Sequence, residues 1–173
     1  MNLPRLLFRG LDRLNHYFNV LAMVSLGVMS ALIIVEVFVR LFFNASTLIS
    51  EEWSGYLLIY LVFFGLAHAF KSDAFISVDI VYNRLSQMVR EKVRLCCILL
   101  ALIFIVIFEY ELVIFVLSTY QKHLKSVSFS ETPLVIPQIA MPIGIALLGL
   151  QLLKEFIARI LSWKGITLEK GVE

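Results

Sequence analysis

The chain has few of the residues from which reactive sites are built. It contains 2 cysteines, 3 histidines and 4 prolines in 173 residues, and charged residues make up only 16%. The sequence has no phosphate-binding loop with its lysine, no histidines or cysteines at metal-ligand spacing, and no nucleophile beside a base. We therefore expect no enzymatic activity, no metal and no cofactor. The net charge of +2, without basic residues clustered among aromatics, argues against nucleic-acid binding.

Apolar residues make up 60% of the chain and gather in four long runs. A helix needs about 20 apolar residues to cross a hydrocarbon core of about 30 Å, and each run approaches or exceeds that length. We predict an all-α integral membrane protein, a single membrane domain over 1–173, whose first run is retained as a span. The four transmembrane helices are expected at 18–43, 53–70, 93–117 and 134–160.

Lysine and arginine are distributed unevenly between the connecting segments. Twelve lie in the two terminal segments and in the segment after the second run, whereas two lie in the segment after the third. The positive-inside rule then places both termini in the cytoplasm. The segments at 44–52 and 120–133 are expected to face outward.

Two polar segments have helical amphipathic periodicity and are expected to lie along membrane lipids. In the first, at 3–16, leucines share one face while Arg5, Arg9 and Arg13 share the other. The second, at 76–90, carries a stripe of valine, leucine and methionine. Each segment is either a plain interfacial anchor or a docking helix for a partner subunit, and the pattern leaves both open.

Charged residues inside the runs are costly and must face protein or water. Glu36 and Arg40 are spaced i, i+4 with the acid first, which favours an ion pair on one helix. Glu109 is predicted at a similar depth, so that Arg40 could also neutralise it across a contact between the first and third spans. The group is either a proton or cation relay, or an ion pair that fixes helix register or holds a partner.

Small residues and prolines indicate where helices approach or bend. The pairs Gly27/Ala31 and Gly65/Ala69 permit close approach of another helix, either internal or foreign. Pro142 lacks a backbone donor inside the fourth run, so a kink is expected there, whereas Pro137 suits a first helical turn. The adjacent Cys96 and Cys97 are poorly placed to bridge and are interpreted as small apolar residues.

The order of several short motifs carries a family resemblance that covers essentially the whole chain. Arg40 ends the first run, the acidic pair Glu51 and Glu52 opens the second, and Gly65 lies within it. Asp79 follows in a Phe-Ile-Ser-Val-Asp segment, and Pro142 and Gly144 lie in an Ile-Pro-Gln-Ile-Ala-Met-Pro-Ile-Gly segment. This series resembles the small membrane subunit, or Q subunit, of the tripartite ATP-independent periplasmic (TRAP) transporters.

The resemblance implies a non-catalytic scaffold in the bacterial inner membrane. Its partners would be a large multi-spanning subunit that holds the substrate and sodium sites, and a periplasmic substrate-binding protein that delivers an organic acid. A C4-dicarboxylate and sialic acid are both compatible with it. The alternative from another class is a small self-assembling channel or proton-coupled exporter, in which Glu36, Arg40 and Glu109 would line a path between protomers.

Overall fold

A computed structural model describes residues 3–46, 49–72, 87–128 and 130–163, with side chains described within 10–46, 49–72, 89–128 and 130–160. Apart from one isolated bridge between Lys125 and Pro133, the regular structure of these residues is helical. The helices are α1 (Leu3–Phe43), α2 (Ile49–Lys71), α3 (Gln87–Gln121), α4 (Val135–Gln138) and α5 (Ala140–Trp163).

Four stretches of these helices are long and apolar enough to cross a membrane. Their bounds are Gly10–Phe43, Ile49–Lys71, Val89–Gln121 and Val135–Ile160. The predicted all-α membrane architecture is therefore confirmed. The first three spans are longer than their predicted runs at one or both ends, and the fourth begins one residue later than predicted and ends at the same residue. Which ends face the cytoplasm stays a prediction.

The long helices pack in the spatial order α1, α2, α5, α3. Helix α5 lies in the middle and contacts α2 on one side and α3 on the other. On α3, Ile98, Ile105 and Leu112 recur every seven residues and pack with Ile145 and Leu152 of α5. A seven-residue repeat is typical of helices that pack along a coiled-coil seam. Helices α1 and α3 lie at the two edges of the row.

The contact between α2 and α5 depends on Gly144. A Cβ atom at this position would lie 2.3 Å from the carbonyl oxygen of Phe63 and 2.6 Å from its carbonyl carbon. The two backbones can approach this closely only because glycine has no side chain. Gly27 and Gly65, by contrast, have open space where a Cβ would stand. The close approach of two helix backbones within the chain therefore occurs at Gly144. At Gly27 and Gly65 no neighbouring atom of the described residues occupies the space beside the glycine.

The amphipathic segment at 3–16 is helical, but it is the beginning of α1 and not a separate helix. Within it, the Asn15 amide donates a 3.0 Å hydrogen bond to Gln151, and Lys154 forms an ion pair with Asp12 at 2.7 Å. Both partners lie on α5. Residues 12–15 thus pack against another span as part of α1, and the interfacial position of the 3–16 segment stays a prediction. No side chain of 3–9, and so neither Arg5 nor Arg9, is described.

Of the second amphipathic segment, residues 76–86 lie outside the described residues, and Asp79 is among them. Its last four residues, 87–90, are the first residues of α3. Lipid contact by this segment stays a prediction.

The fourth span is interrupted at Ile139, since α4 ends at Gln138 and α5 begins at Ala140. Pro142 lies in the first turn of α5 and its missing N–H cannot bond the carbonyl oxygen four residues back, at Gln138. The predicted irregularity thus lies on the N-terminal side of Pro142. Pro137 lies within the single turn of α4, as expected.

Candidate functional site

The connection between α1 and α2 carries a polar group that we call the hairpin cluster. Its members are Glu36, Arg40, Ser46, Ser50 and Glu51. Asn44, with φ of 47°, ends α1 in the left-handed conformation and begins the return. The side chains of both helix ends thereby face one another.

The Glu36 carboxylate is the centre of the hairpin cluster and is buried. One of its oxygens accepts hydrogen bonds of 2.7 Å from both Arg40 Nε and Ser46 Oγ. The other accepts a 3.2 Å bond from Ser50 Oγ on α2. A carboxylate with three donors is well compensated for the loss of water. The predicted i, i+4 pair is thus confirmed as an ion pair, and its serine partners join the two helices.

Arg40 reaches from the hairpin cluster toward solvent. Its Nη2 atom lies 2.8 Å from a carboxylate oxygen of Glu51, and both side chains are largely exposed. Exposed ion pairs contribute little to stability, typically up to about 1 kcal/mol. The hydrogen bonds to the buried carboxylate of Glu36 therefore contribute most of the stability of the hairpin cluster. The exposed ion pair with Glu51 adds little to it.

Glu109 does not join this group, so the predicted contact between Arg40 and Glu109 is wrong. The guanidinium of Arg40 binds Glu36 and Glu51, while α3, which carries Glu109, packs on α5 at the other edge of the row. One carboxylate oxygen of Glu109 is buried and has no hydrogen-bond partner among the described residues. Sequence spacing could not reveal this, because it does not show which spans are neighbours.

Glu52 has a role different from that of its neighbour Glu51. Its two carboxylate oxygens accept hydrogen bonds from the hydroxyls of Tyr56, at 2.6 Å, and Ser130, at 2.7 Å. Ser130 also contacts the hydroxyl of Thr132. Glu52 therefore attaches the start of α2 to the segment that joins α3 to α4.

The described residues of that joining segment, 122–128 and 130–134, form a short hairpin, which we call the 122–134 hairpin. His123, with φ of 48°, ends α3, and the amide of Leu124 bonds the carbonyl of Thr119 at 3.2 Å. This left-handed residue and the bond beside it match a Schellman helix end. The amide of Ser126 then bonds the carbonyl of Thr132 at 2.9 Å. The sequence predicted an outward loop here but not its attachment to Glu52.

A second group of ionic contacts lies at the opposite end of the helices and was not predicted. Asp12 of α1 lies 2.7 Å from Lys154 of α5 and 3.2 Å from Lys71 at the end of α2. Arg159 of α5 reaches Glu91 of α3 at 3.1 Å. These contacts link α1, α2, α5 and α3 at one end. The only sequence signal was the lone acid among basic residues near the N-terminus.

The described residues include no group of three or more histidine, cysteine, aspartate or glutamate side chains that could hold a metal ion. Polar contacts between helix ends and extended apolar faces are suited to assembly. A comparison with known protein families identifies the class of protein. The sequence model of the family described as "Tripartite ATP-independent periplasmic transporters, DctQ component" matches residues 29–162. The chain belongs to this family.

Two relatives from Haemophilus influenzae agree with the DctQ assignment, and both are described as TRAP transporter small permease proteins. One is 33% identical over 98 residues, which are 55% of this chain and 58% of the relative. The other is 36% identical over 72 residues, which are 42% of this chain and 45% of the relative. The chain thus spans about half the length of the curated relatives it matches. The predicted resemblance to the TRAP small subunit is confirmed.

Within the DctQ match, the motif positions of the sequence have distinct structural surroundings. Arg40 and Glu51 lie in the hairpin cluster, Glu52 holds the 122–134 hairpin, and Gly144 permits the contact of α2 with α5. Arg13 and the rest of the N-terminal basic face precede the matched residues. Four of the positions on which the predicted resemblance rests therefore take part in contacts that hold the helices of this chain together.

Proposed function

We propose that this DctQ-family chain is the non-catalytic small membrane subunit of a sodium-coupled TRAP transporter. It would lie in the bacterial inner membrane with both termini in the cytoplasm. There it would act as a scaffold for the large multi-spanning permease subunit. A periplasmic substrate-binding protein would deliver the organic acid to this pair.

The row of helices is the observation that carries the scaffold proposal. Helix α5 is packed on both sides, whereas α1 and α3 expose large apolar side chains along their lengths, such as Ile34 and Phe38 on α1 and Phe104 and Ile107 on α3. A row of helices has two broad faces and does not surround a channel between its members. Such a surface supports a role in which the chain binds lipid and another membrane protein.

The organic acid is proposed as a carboxylate such as a C4-dicarboxylate or sialic acid, on the family relationship alone. The carboxylates and guanidinium of the hairpin cluster already bind one another. An acid substrate would have to displace these contacts to bind there. Selection of the acid is accordingly assigned to the two partner proteins.

The test is reconstitution of transport in liposomes. The large permease subunit, the binding protein and this chain are combined, and uptake of each radiolabelled acid is driven by a sodium gradient. We expect uptake only when all three proteins are present, and a one-to-one complex of this chain with the large subunit. Solute or ion flux through liposomes that contain this chain alone would contradict the scaffold proposal.

A Glu36→Gln variant separates the scaffold from a self-assembling channel. For the scaffold, the variant should weaken the α1–α2 contact and lower the yield of the complex, while the complex that forms still transports. For a channel whose path includes Glu36, the variant would abolish flux through this chain alone without lowering the yield of assembled protein.

A further inference from the structure

Glu109 and Glu111 are the two acidic residues of an otherwise largely apolar stretch of α3, and Glu109 is the less exposed of the two. Counted at about 1.5 Å per residue from Gln121, where α3 ends, it lies about 18 Å along the helix. The residues one heptad away on either side, Leu102 and Val116, are half-buried apolar side chains. Glu109 therefore takes an apolar position at the edge of the seam between α3 and α5.

The carboxylate of Glu109 is incompletely hydrogen-bonded within the described part of the chain. One of its oxygens is buried and finds no hydrogen-bond donor in the described part of the protein. A carboxylate surrounded by apolar groups is unfavourable unless a donor or a cation reaches it. Glu109 as a residue is only partly buried, so a rotation of its side chain would present this acceptor to a donor from another molecule.

The surroundings of Glu109 show from which side that donor can come. Ile105 and Leu112, one turn before and after it, are buried in the seam with α5. Val106 and Val113, one turn before and after it on the other flank, are 67% and 40% exposed. An approaching helix that covered these two valines would pass directly over the carboxylate, because residues three and four apart share a helix face.

The two edge helices, α1 and α3, differ in how many donors from this chain their carboxylate groups at Glu36 and Glu109 have. On α1 the carboxylate of Glu36 has three donors from the same chain. On α3 the carboxylate of Glu109 has a buried oxygen that accepts no hydrogen bond from any of the residues described. Charge complementarity consequently favours α3 as the edge that meets a protein partner.

We propose that the face of α3 formed by Val106, Glu109 and Val113 is the docking surface for a helix of the large permease subunit. This rests on the proposed function. The partner helix supplies an N–H or O–H donor to Glu109, and arginine or lysine best complements its charge. The valines beside it provide the apolar contact that excludes lipid from the ion pair.

The first experiment measures assembly. This chain is co-expressed with the tagged large subunit, and the amount that co-purifies in mild detergent is determined. Glu109→Leu should lower that amount about tenfold or more, because a buried hydrogen bond to a charged group is lost. Glu109→Gln, which keeps an acceptor without the charge, should give an intermediate value. Glu111→Leu is the matched control, since Glu111 is an exposed acid two residues along the same helix.

The same variants purified without the large subunit control for folding. Glu109→Leu should unfold at the same detergent concentration as the wild type or a higher one, because it removes a buried atom that has no partner. A loss of co-purification together with an unimpaired isolated chain therefore reports on the interface.

The second experiment maps the face directly. A photo-crosslinking benzoylphenylalanine is placed at Val106 or Val113. Ile107 is the control, because its exposure lies between those of the two valines and it is on the opposite side of α3 from Glu109. We expect adducts with the large subunit from the two valine positions, several times stronger than from Ile107.

The outcomes separate the two proposals. If the wild-type chain fails to co-purify with the large subunit, the proposed function is overturned. If the wild type co-purifies but Glu109→Leu does so equally, only the docking face is wrong. Adducts of the valine positions with a second copy of this chain, or with lipid alone, would likewise overturn the docking face.

Discussion

Replacement of Gly144 by alanine would place a methyl group against the backbone of α2. The added carbon would lie 2.3 Å from the carbonyl oxygen of Phe63, 2.6 Å from its carbonyl carbon and 2.7 Å from its Cβ. Because the two closest atoms belong to a helix backbone, no side-chain rotation can relieve the overlap. Helix α5 would have to move away from α2 by about 1 Å to restore an ordinary contact.

The magnitude follows from two opposing effects. Overpacking of an interior typically costs about 1–3 kcal/mol, and contact with a rigid backbone belongs at the upper end. Alanine is a better helix former than glycine by about 1 kcal/mol. We therefore expect Gly144→Ala to lower the free energy of unfolding by about 2 kcal/mol, or about 30-fold in the equilibrium constant.

The assay is unfolding in mixed micelles with increasing dodecyl sulfate, followed by circular dichroism. Gly65→Ala is the matched control, because nothing lies within 4 Å of its added carbon. Gly149→Ala should be intermediate, since its carbon would meet Ile105 Cγ2 at 3.1 Å and that side chain can adjust. If Gly144→Ala unfolded at the same dodecyl sulfate fraction as Gly65→Ala, the inferred backbone contact between α2 and α5 would be refuted.

Three further predictions concern the polar contacts. Glu36→Ala should lower the free energy of unfolding by about 1–3 kcal/mol because three donors lose their acceptor, whereas Glu51→Ala at the surface should cost less than about 1 kcal/mol in the same assay. Asn15→Leu should lower the free energy of unfolding, because Gln151 stays buried without its donor. Combining it with Gln151→Leu should recover most of that free energy, and additive losses from the two substitutions would contradict this. Ser130→Ala should release the 122–134 hairpin, measured as faster amide exchange confined to that segment, and unchanged exchange would show that Glu52 does not hold it.

The spans and the ion pair between Glu36 and Arg40 could be predicted because both depend on local sequence. Hydropathy is summed over one run, and an i, i+4 contact is set by the geometry of one helix. The partner proposed for Glu109 was wrong because it required knowledge of helix order. In a membrane every face of a span can be apolar, so amphipathicity does not reveal which helices are neighbours.

The contacts across long sequence separations could not be read from the sequence for a related reason. Asp12 and Lys154 are 142 residues apart, and Glu52 and Ser130 are 78 apart. Polar residues near helix ends usually face water, so neither pair carries a sequence signal beyond its charge or hydroxyl. Pro142 did allow a prediction, because a proline has no N–H with which to bond the carbonyl oxygen four residues earlier, and the helix is interrupted there.

Helix α1 is attached to α2 near both of its ends, and this limits how far α1 can tilt. Asp12 meets Lys71 at one end of α2, and Glu36 meets Ser50 at the other. The two acidic residues are separated by about 36 Å along α1, at about 1.5 Å per residue. A slack of about 1 Å at one attachment would therefore tilt the helix by only about 1.6°, as follows from the same rise per residue. Helix α1 is accordingly held against pivoting on α2 along most of its length.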